Sequence, residues 1–191
     1  MTTQLSRDEQ NILLTTARNA IQQELNQEKG FIPGLDDYPA ILQEKGACFI
    51  TIKKKGMLRG CVGSIEAIQP LIEDVRSRAV AASFQDPRFP PLEISELEDI
   101  TIEISRLTAP SRLIYQTPED LLDQVRPGVD GVILSDQFRR ATFLPQVWEQ
   151  LPDAEIFLDR LCLKMGLDKS IWRTASLKVE TYQVEKFQEK D

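Results

Sequence analysis

The chain contains no histidine. A Ser-His-Asp triad, a Cys-His pair and a His-ligated metal are therefore excluded from its own side chains. Acid–base chemistry, if any, falls to carboxylates, cysteine, lysine, tyrosine or water. Cysteine is scarce as well: three residues, Cys48, Cys61 and Cys162, widely spaced and without a CxxC pair. That argues against a disulfide framework and a structural zinc site, and it fits free thiols in a reducing cytosol. No run of 18 apolar residues exists, so no membrane span is expected. Met1 to Arg18 lacks a basic region followed by an apolar stretch, so no signal peptide is expected either. Positive charge is also in deficit. A net charge of −7 repels phosphate backbones, and general nucleic-acid binding is not expected.

What is present reads as one α+β domain, 1–191. Ser6 and Glu9 form a capping box before Leu13, Leu14, Ala17, Ile21 and Leu25 at helical spacing, a helix over about 6–28 closed by Gly30. Ala47 to Lys53 and Met57 to Val62, joined at Lys54-Lys55-Gly56, read as a hairpin. Pro70 opens a helix with a small-residue face. Ile100, Ile102 and Ile104 alternate with polar residues as a half-buried strand. Arg106 falls on the apolar side of that alternation, marking either the strand's end or an inward partner. Thr117-Pro118 starts a further helix, ended by Arg126-Pro127-Gly128. A second hairpin is expected over 131–135 and 138–144, then a short helix from Pro145 and a longer one capped by Asp153. A last strand runs from Leu177 to Phe187, its shift of apolar phase suggesting a bulge near Thr181. Hairpins joined by helices predict mainly antiparallel or mixed sheets with packed helices. Hairpin-then-helix occurs twice, which suggests two intimate lobes over about 35–115 and 116–187.

Chemically suggestive residues gather in Arg59-Gly60-Cys61-Val62-Gly63. Alternation places Arg59 and Cys61 on one strand face, about 6.5–7 Å apart. A guanidinium there would favour a thiolate. Gly60 and Gly63 would allow unusual dihedrals or close approach of a backbone or ligand. Equally, Cys61 reads as a small buried hydrophobe between glycines that shape a bend. Asp86 and Arg88 sit in a stiff loop with three prolines, Pro87, Pro90 and Pro91, suited to presenting polar groups or simply to turning the chain. Arg140 and Thr142 share a face and could receive a phosphate or carboxylate, or lie in solvent. Lys53, Lys54 and Lys55 make a basic turn. Glu93, Glu96, Glu98, Asp99 and Glu103 make an acidic run whose simplest reading is a solvated face.

These segments, taken in order, resemble the AMMECR-type domain family. The resemblance rests on Leu58-Arg59-Gly60-Cys61-Val62-Gly63, on Ala82 through Pro91 followed by Glu96-Leu97, and on Leu107-Thr108. It continues through Gly128-Val129-Asp130-Gly131-Val132, Thr142 through Trp148, Phe157-Leu158 and Lys164 through Leu167. Arg106 and Met165 depart from the family's pattern, which has aliphatic and alanine residues at those places. The resemblance implies a compact α+β fold and a functional surface around Arg59, Gly60, Cys61 and Gly63, with Asp86 and Arg88 nearby. It is similar to protein A of the AmmeMemoRadiSam system, which implies a Memo-type protein and a radical SAM enzyme as partners; no cofactor motif is recognised in the sequence, and the free thiols point to a cytoplasmic location. Two roles follow. One is an accessory or substrate-presenting component. The other is a cysteine-dependent enzyme acting on a small anionic substrate, with Cys61 as nucleophile and Asp86 or Arg88 handling protons or the anion.

Overall fold

The computed structural model describes residues 4–27, 30, 33–174 and 177–189. The chain divides into two units. One takes the residues up to Leu107 together with those from Glu185 onward; the other takes Thr108–Val184.

The first unit starts with α1 (Arg7–Asn26), held by the expected Ser6–Glu9 capping box. It ends sooner than Gly30: Gln27, at φ 54°, is the left-handed cap, and its amide reaches back to Gln23 and Glu24. Residue 28 lies outside the described residues. A short α2 (Ala40–Gln43) leads into β1 (Lys45–Lys54), and Lys55 and Gly56 turn the chain with positive φ into β2 (Met57–Gly63). The two-residue β3 (Gln69–Pro70) pairs with the start of β1, so Pro70 stands just before the helix and not inside its first turn. Then come α3 (Leu71–Phe84) and β4 (Ile100–Leu107). The sheet order is β2-β1-β4-β9, where β9 (Val184–Gln188) is the chain's last strand.

Register explains the core. Ile50 faces Ile104 and Ile52 faces Ile102 across β1 and β4, and all four are fully buried among the residues of α1 and α3. Each such side chain stabilises the fold by about 1.5–3 kcal/mol through burial. Arg106, opposite Cys48, lies within the strand and not at its end. It finds its inward partner in Glu185, at 3.2 Å.

The second unit holds β5 (Ser111–Leu113), α4 (Pro118–Gln124), β6 (Gly131–Ser135), β7 (Arg140–Phe143), α5 (Ala154–Lys164) and β8 (Lys178–Tyr182). Its sheet order is β5-β8-β6-β7. Thr117 and Asp153 cap α4 and α5 as expected, although α4 stops at Gln124, before the Arg126-Pro127-Gly128 break. Trp148 stacks on Phe157 with centroids 3.6 Å apart, and Trp172 is buried in the same core. The expected single last strand is two strands broken at Gln183: β8 belongs to this sheet and β9 to the other. The shift of apolar phase is thus a change of sheet, not a bulge. Both sheets pair antiparallel with packed helices, an α+β fold.

Candidate functional site

The Cys61 strand is an edge strand, and the loop after α3 closes it. β1 and β2 pair in steady register from the turn, Lys54 with Met57 and Lys53 with Leu58, and then slip, because Ile52 faces Gly60. Arg59 is the extra residue, a β-bulge. A bulge re-aims the side chain it carries and shifts every face beyond it by one residue. Cys61 consequently stands opposite Thr51, whose hydroxyl donates to its Sγ at 3.4 Å.

The expectation that the Arg59 guanidinium serves the Cys61 thiolate is corrected by its bonding. Nε and Nη2 donate to the two oxygens of Glu96 at 3.1 and 2.8 Å, while Nη1 and Nη2 donate to the carbonyls of Pro90 and Pro91. Arg59 thereby ties the bulge to the proline loop. Glu96 also accepts from Lys54 Nζ at 2.9 Å and from the Glu93 amide. The Arg59 guanidinium, aided by Lys54, holds the Glu96 carboxyl at about 2, below its ordinary 4.5.

Asp86 and Arg88 lie on the same strand edge. The buried Asp86 carboxylate accepts the Cys61 amide at 2.8 Å. Arg88 Nε and Nη2 donate to Asp86 at 2.9 and 2.7 Å, and Nη2 also reaches the Cys61 carbonyl at 3.3 Å. One aspartate and one arginine therefore bracket the backbone of Cys61, taking its amide and its carbonyl. The Arg88 guanidinium, then the amides of Cys61 and Arg88, hold the Asp86 carboxyl well below the usual carboxylate range against the opposing effect of burial. The pair is lopsided: the Asp86 side chain is 3% exposed and that of Arg88 55%.

The glycines are used differently from the expectation of unusual dihedrals. Neither Gly60 nor Gly63 has a positive φ. A Cβ on Gly60 would meet the Ala82 carbonyl oxygen of α3 at 2.1 Å, and one on Gly63 would meet the Phe49 ring at 2.3 Å. The close approach they permit is to the protein's own helix and ring.

Arg140 and Thr142 belong to the second unit, on β7. Arg140 is exposed there, opposite Ser135. Thr142 is buried, and its hydroxyl donates to the Val132 carbonyl at 2.9 Å and lies 3.1 Å from the Tyr182 hydroxyl, so it is committed to holding the sheet. The basic turn and the acidic run neutralise each other: Lys53 pairs with Glu103, Lys54 with Glu96, and Lys55 approaches Asp99 at 3.9 Å. Among the described residues no three Cys, Asp or Glu side chains gather to hold a metal ion, and no helix is long and apolar enough to cross a membrane.

Sequence reasoning missed Thr51 and the part played by Glu96. Thr51 was hidden by the bulge, since counting from the turn puts Gly60 opposite it. Glu96 was visible only as one carboxylate of an acidic run, although it follows the paired prolines in the segment that carries the family resemblance.

Comparison with known proteins agrees with this architecture. The AMMECR1 family model matches residues 14–187. A protein of Methanothermobacter thermautotrophicus is 40% identical over 187 residues, covering 97% of this chain and 96% of that one. A protein of Thermofilum pendens is 38% identical, covering 97% and 92%. The crystal structure of the uncharacterized protein PH0010 from Pyrococcus horikoshii aligns with a TM-score of 0.76 at 32% identity, over 97% of this chain and 94% of that one. The chain belongs to the AMMECR1 family.

Proposed function

We propose that the chain acts as an accessory or substrate-presenting component, offering the braced edge around Cys61 as a docking face, with a Memo-type protein and a radical SAM enzyme as partners in a small modification system. The observation that carries this reading is the commitment of Asp86 and Arg59, the charged groups that would tune the Cys61 thiol, to bonds within the strand edge. Asp86 is occupied by the Cys61 amide and Arg88, and Arg59 by Glu96 and two carbonyls. A carboxylate held so far below its usual range is a poor proton acceptor at neutral pH. The groups that would activate a thiol instead rigidify a strand.

A rigid edge suits recognition, because less ordering entropy is lost on binding. The surroundings suit it too. Met57 and Leu58 at the start of β2, Ile65 and Ile68 just after it, and Ile94 on the turn that carries Glu96 are all exposed. Arg88 adds an accessible guanidinium 5.6 Å from the Phe89 ring centroid. Exposed apolar side chains and an accessible arginine are residue types on which an interface can draw.

The test is a binding isotherm between the chain and the purified Memo-type protein of the same organism. Arg88→Glu and Met57→Glu should each weaken binding at least tenfold, with folding checked by circular dichroism. Unchanged affinity in both variants, or no binding by the wild type, would remove the proposal. A second reading, a cysteine-dependent enzyme acting on a small anion, draws on the Thr51 hydroxyl at the Cys61 sulfur and the nearby Arg88 guanidinium. It requires that Cys61→Ser lose function with the fold intact.

A further inference from the structure

The second unit presents an aromatic knob beside an apolar hole. Phe138, at the tip of the β6–β7 hairpin, is 90% exposed. A second strand from Phe138 to Leu144 was expected; the strand begins only at Arg140, which leaves Phe138 on the turn. The turn is firmly built. The Asp136 carboxylate accepts the amides of Phe138 and Arg139 at 2.7 and 2.6 Å, the Asp136 amide donates to the Arg139 carbonyl, and Arg139 Nη1 donates to the Gly166 carbonyl. A large ring held in water by so ordered a turn is an unusual use of apolar surface.

Next to the knob lies an open cleft of about 550 Å³ whose apolar lining is Leu167, Ile171, Leu177 and Phe138 itself, with Asp136 and Lys178 also lining it. Knob and hole on one face make that face complementary to itself. The two charged lining residues are opposite in sign, and Lys178, half exposed, pairs with Glu180 at 2.9 Å. A two-fold axis through such a face would set each knob in the other's hole, an isologous contact, and would bring the oppositely charged Asp136 and Lys178 of both copies into the interface.

We propose that a second copy of this chain docks on this face, Phe138 of each entering the Leu167–Ile171–Leu177 cleft of the other. Two aromatic side chains of about 150–250 Å² each, with the surface they cover, give a total buried area on the order of 600–1,000 Å². Stable complexes bury about 1,200–2,000 Å², so the dimer is weak and concentration-dependent.

The experiment is sedimentation equilibrium of the full chain from roughly 10 to 500 µM, a range suited to weak association. The wild type is expected to rise from the monomer mass toward twice that mass. Phe138→Ser should lower the association constant at least tenfold, and Lys178→Glu should lower it measurably. Phe138 is nearly all in water, so its replacement leaves the fold intact, which circular dichroism checks. A wild type that stays monomeric throughout overturns the proposal and leaves the face to another occupant. A mass rise untouched by Phe138→Ser overturns it equally, because association then uses another surface.

Discussion

Asp86 is the residue on which the first unit's edge turns. Removing its carboxylate in Asp86→Ala orphans the Cys61 amide and releases Arg88. A hydrogen bond to a charged group contributes about 1.5–3 kcal/mol, so urea denaturation should show a loss up to that size. Glu96 gives a prediction in pH. Its folded-state carboxyl titrates at about 2 against an ordinary 4.5. The unfolded chain binds the proton more readily, so this contribution to stability is complete above about pH 4.5 and is lost as pH falls toward about 2. In Glu96→Gln the acid-side slope of stability against pH should shrink by about one proton between those values. The three thiols should also separate. Burial pushes the Cys48 thiol up, with Asp74 adding to the effect, and burial pushes the Cys162 thiol up. Cys61 is only half buried. In the native protein at neutral pH, mild alkylation followed by peptide mass analysis should mark Cys61 and spare the other two.

At the scale of elements, the contact of α3 with β2 depends on Gly60. Gly60→Ala drives a methyl into the Ala82 carbonyl, and backbone cannot swing aside as a side chain can. The strain should cost about 1–3 kcal/mol or more, read as a lower denaturation midpoint, whereas Cys61→Ser beside it should be milder. The elements themselves were largely legible in the sequence. The capping box of α1, the Thr117 and Asp153 caps, the Lys55–Gly56 turn and the alternating isoleucines of β4 are local signals, and local chemistry sets them. The site was legible in its residues but not in its pairings. A bulge of one residue at Arg59 decides what faces Thr51, and nothing in the local sequence marks it. The partner of Arg59 is 37 residues away and that of the Cys61 amide 25, distances that only the folded chain closes. The break at Gln183 was visible as a phase shift, yet its meaning, a strand leaving one sheet for another, is a property of topology.

At the scale of the molecule, each unit has its own core, one around α1, α3 and β1, the other around Trp148, Phe157 and Trp172. Both tryptophans lie in the second unit, so intrinsic fluorescence reports on that unit while far-ultraviolet dichroism reports on both. Leu13→Ala, fully buried in the first core, should cost about 2–5 kcal/mol there. Its dichroism transition should move further than its fluorescence transition, which a denaturant series by both probes would reveal. If, as proposed, the braced Cys61 edge is a surface to be recognised and not a nucleophile to be activated, partner binding should not depend on the thiol. This is tested most directly by the affinity of the Memo-type protein for the Cys61→Ser chain. That affinity should stay within about twofold of the wild type, since the serine keeps the amide and carbonyl that Asp86 and Arg88 hold. A loss of tenfold or more in a variant that remains folded would contradict it and return the motif to thiol chemistry.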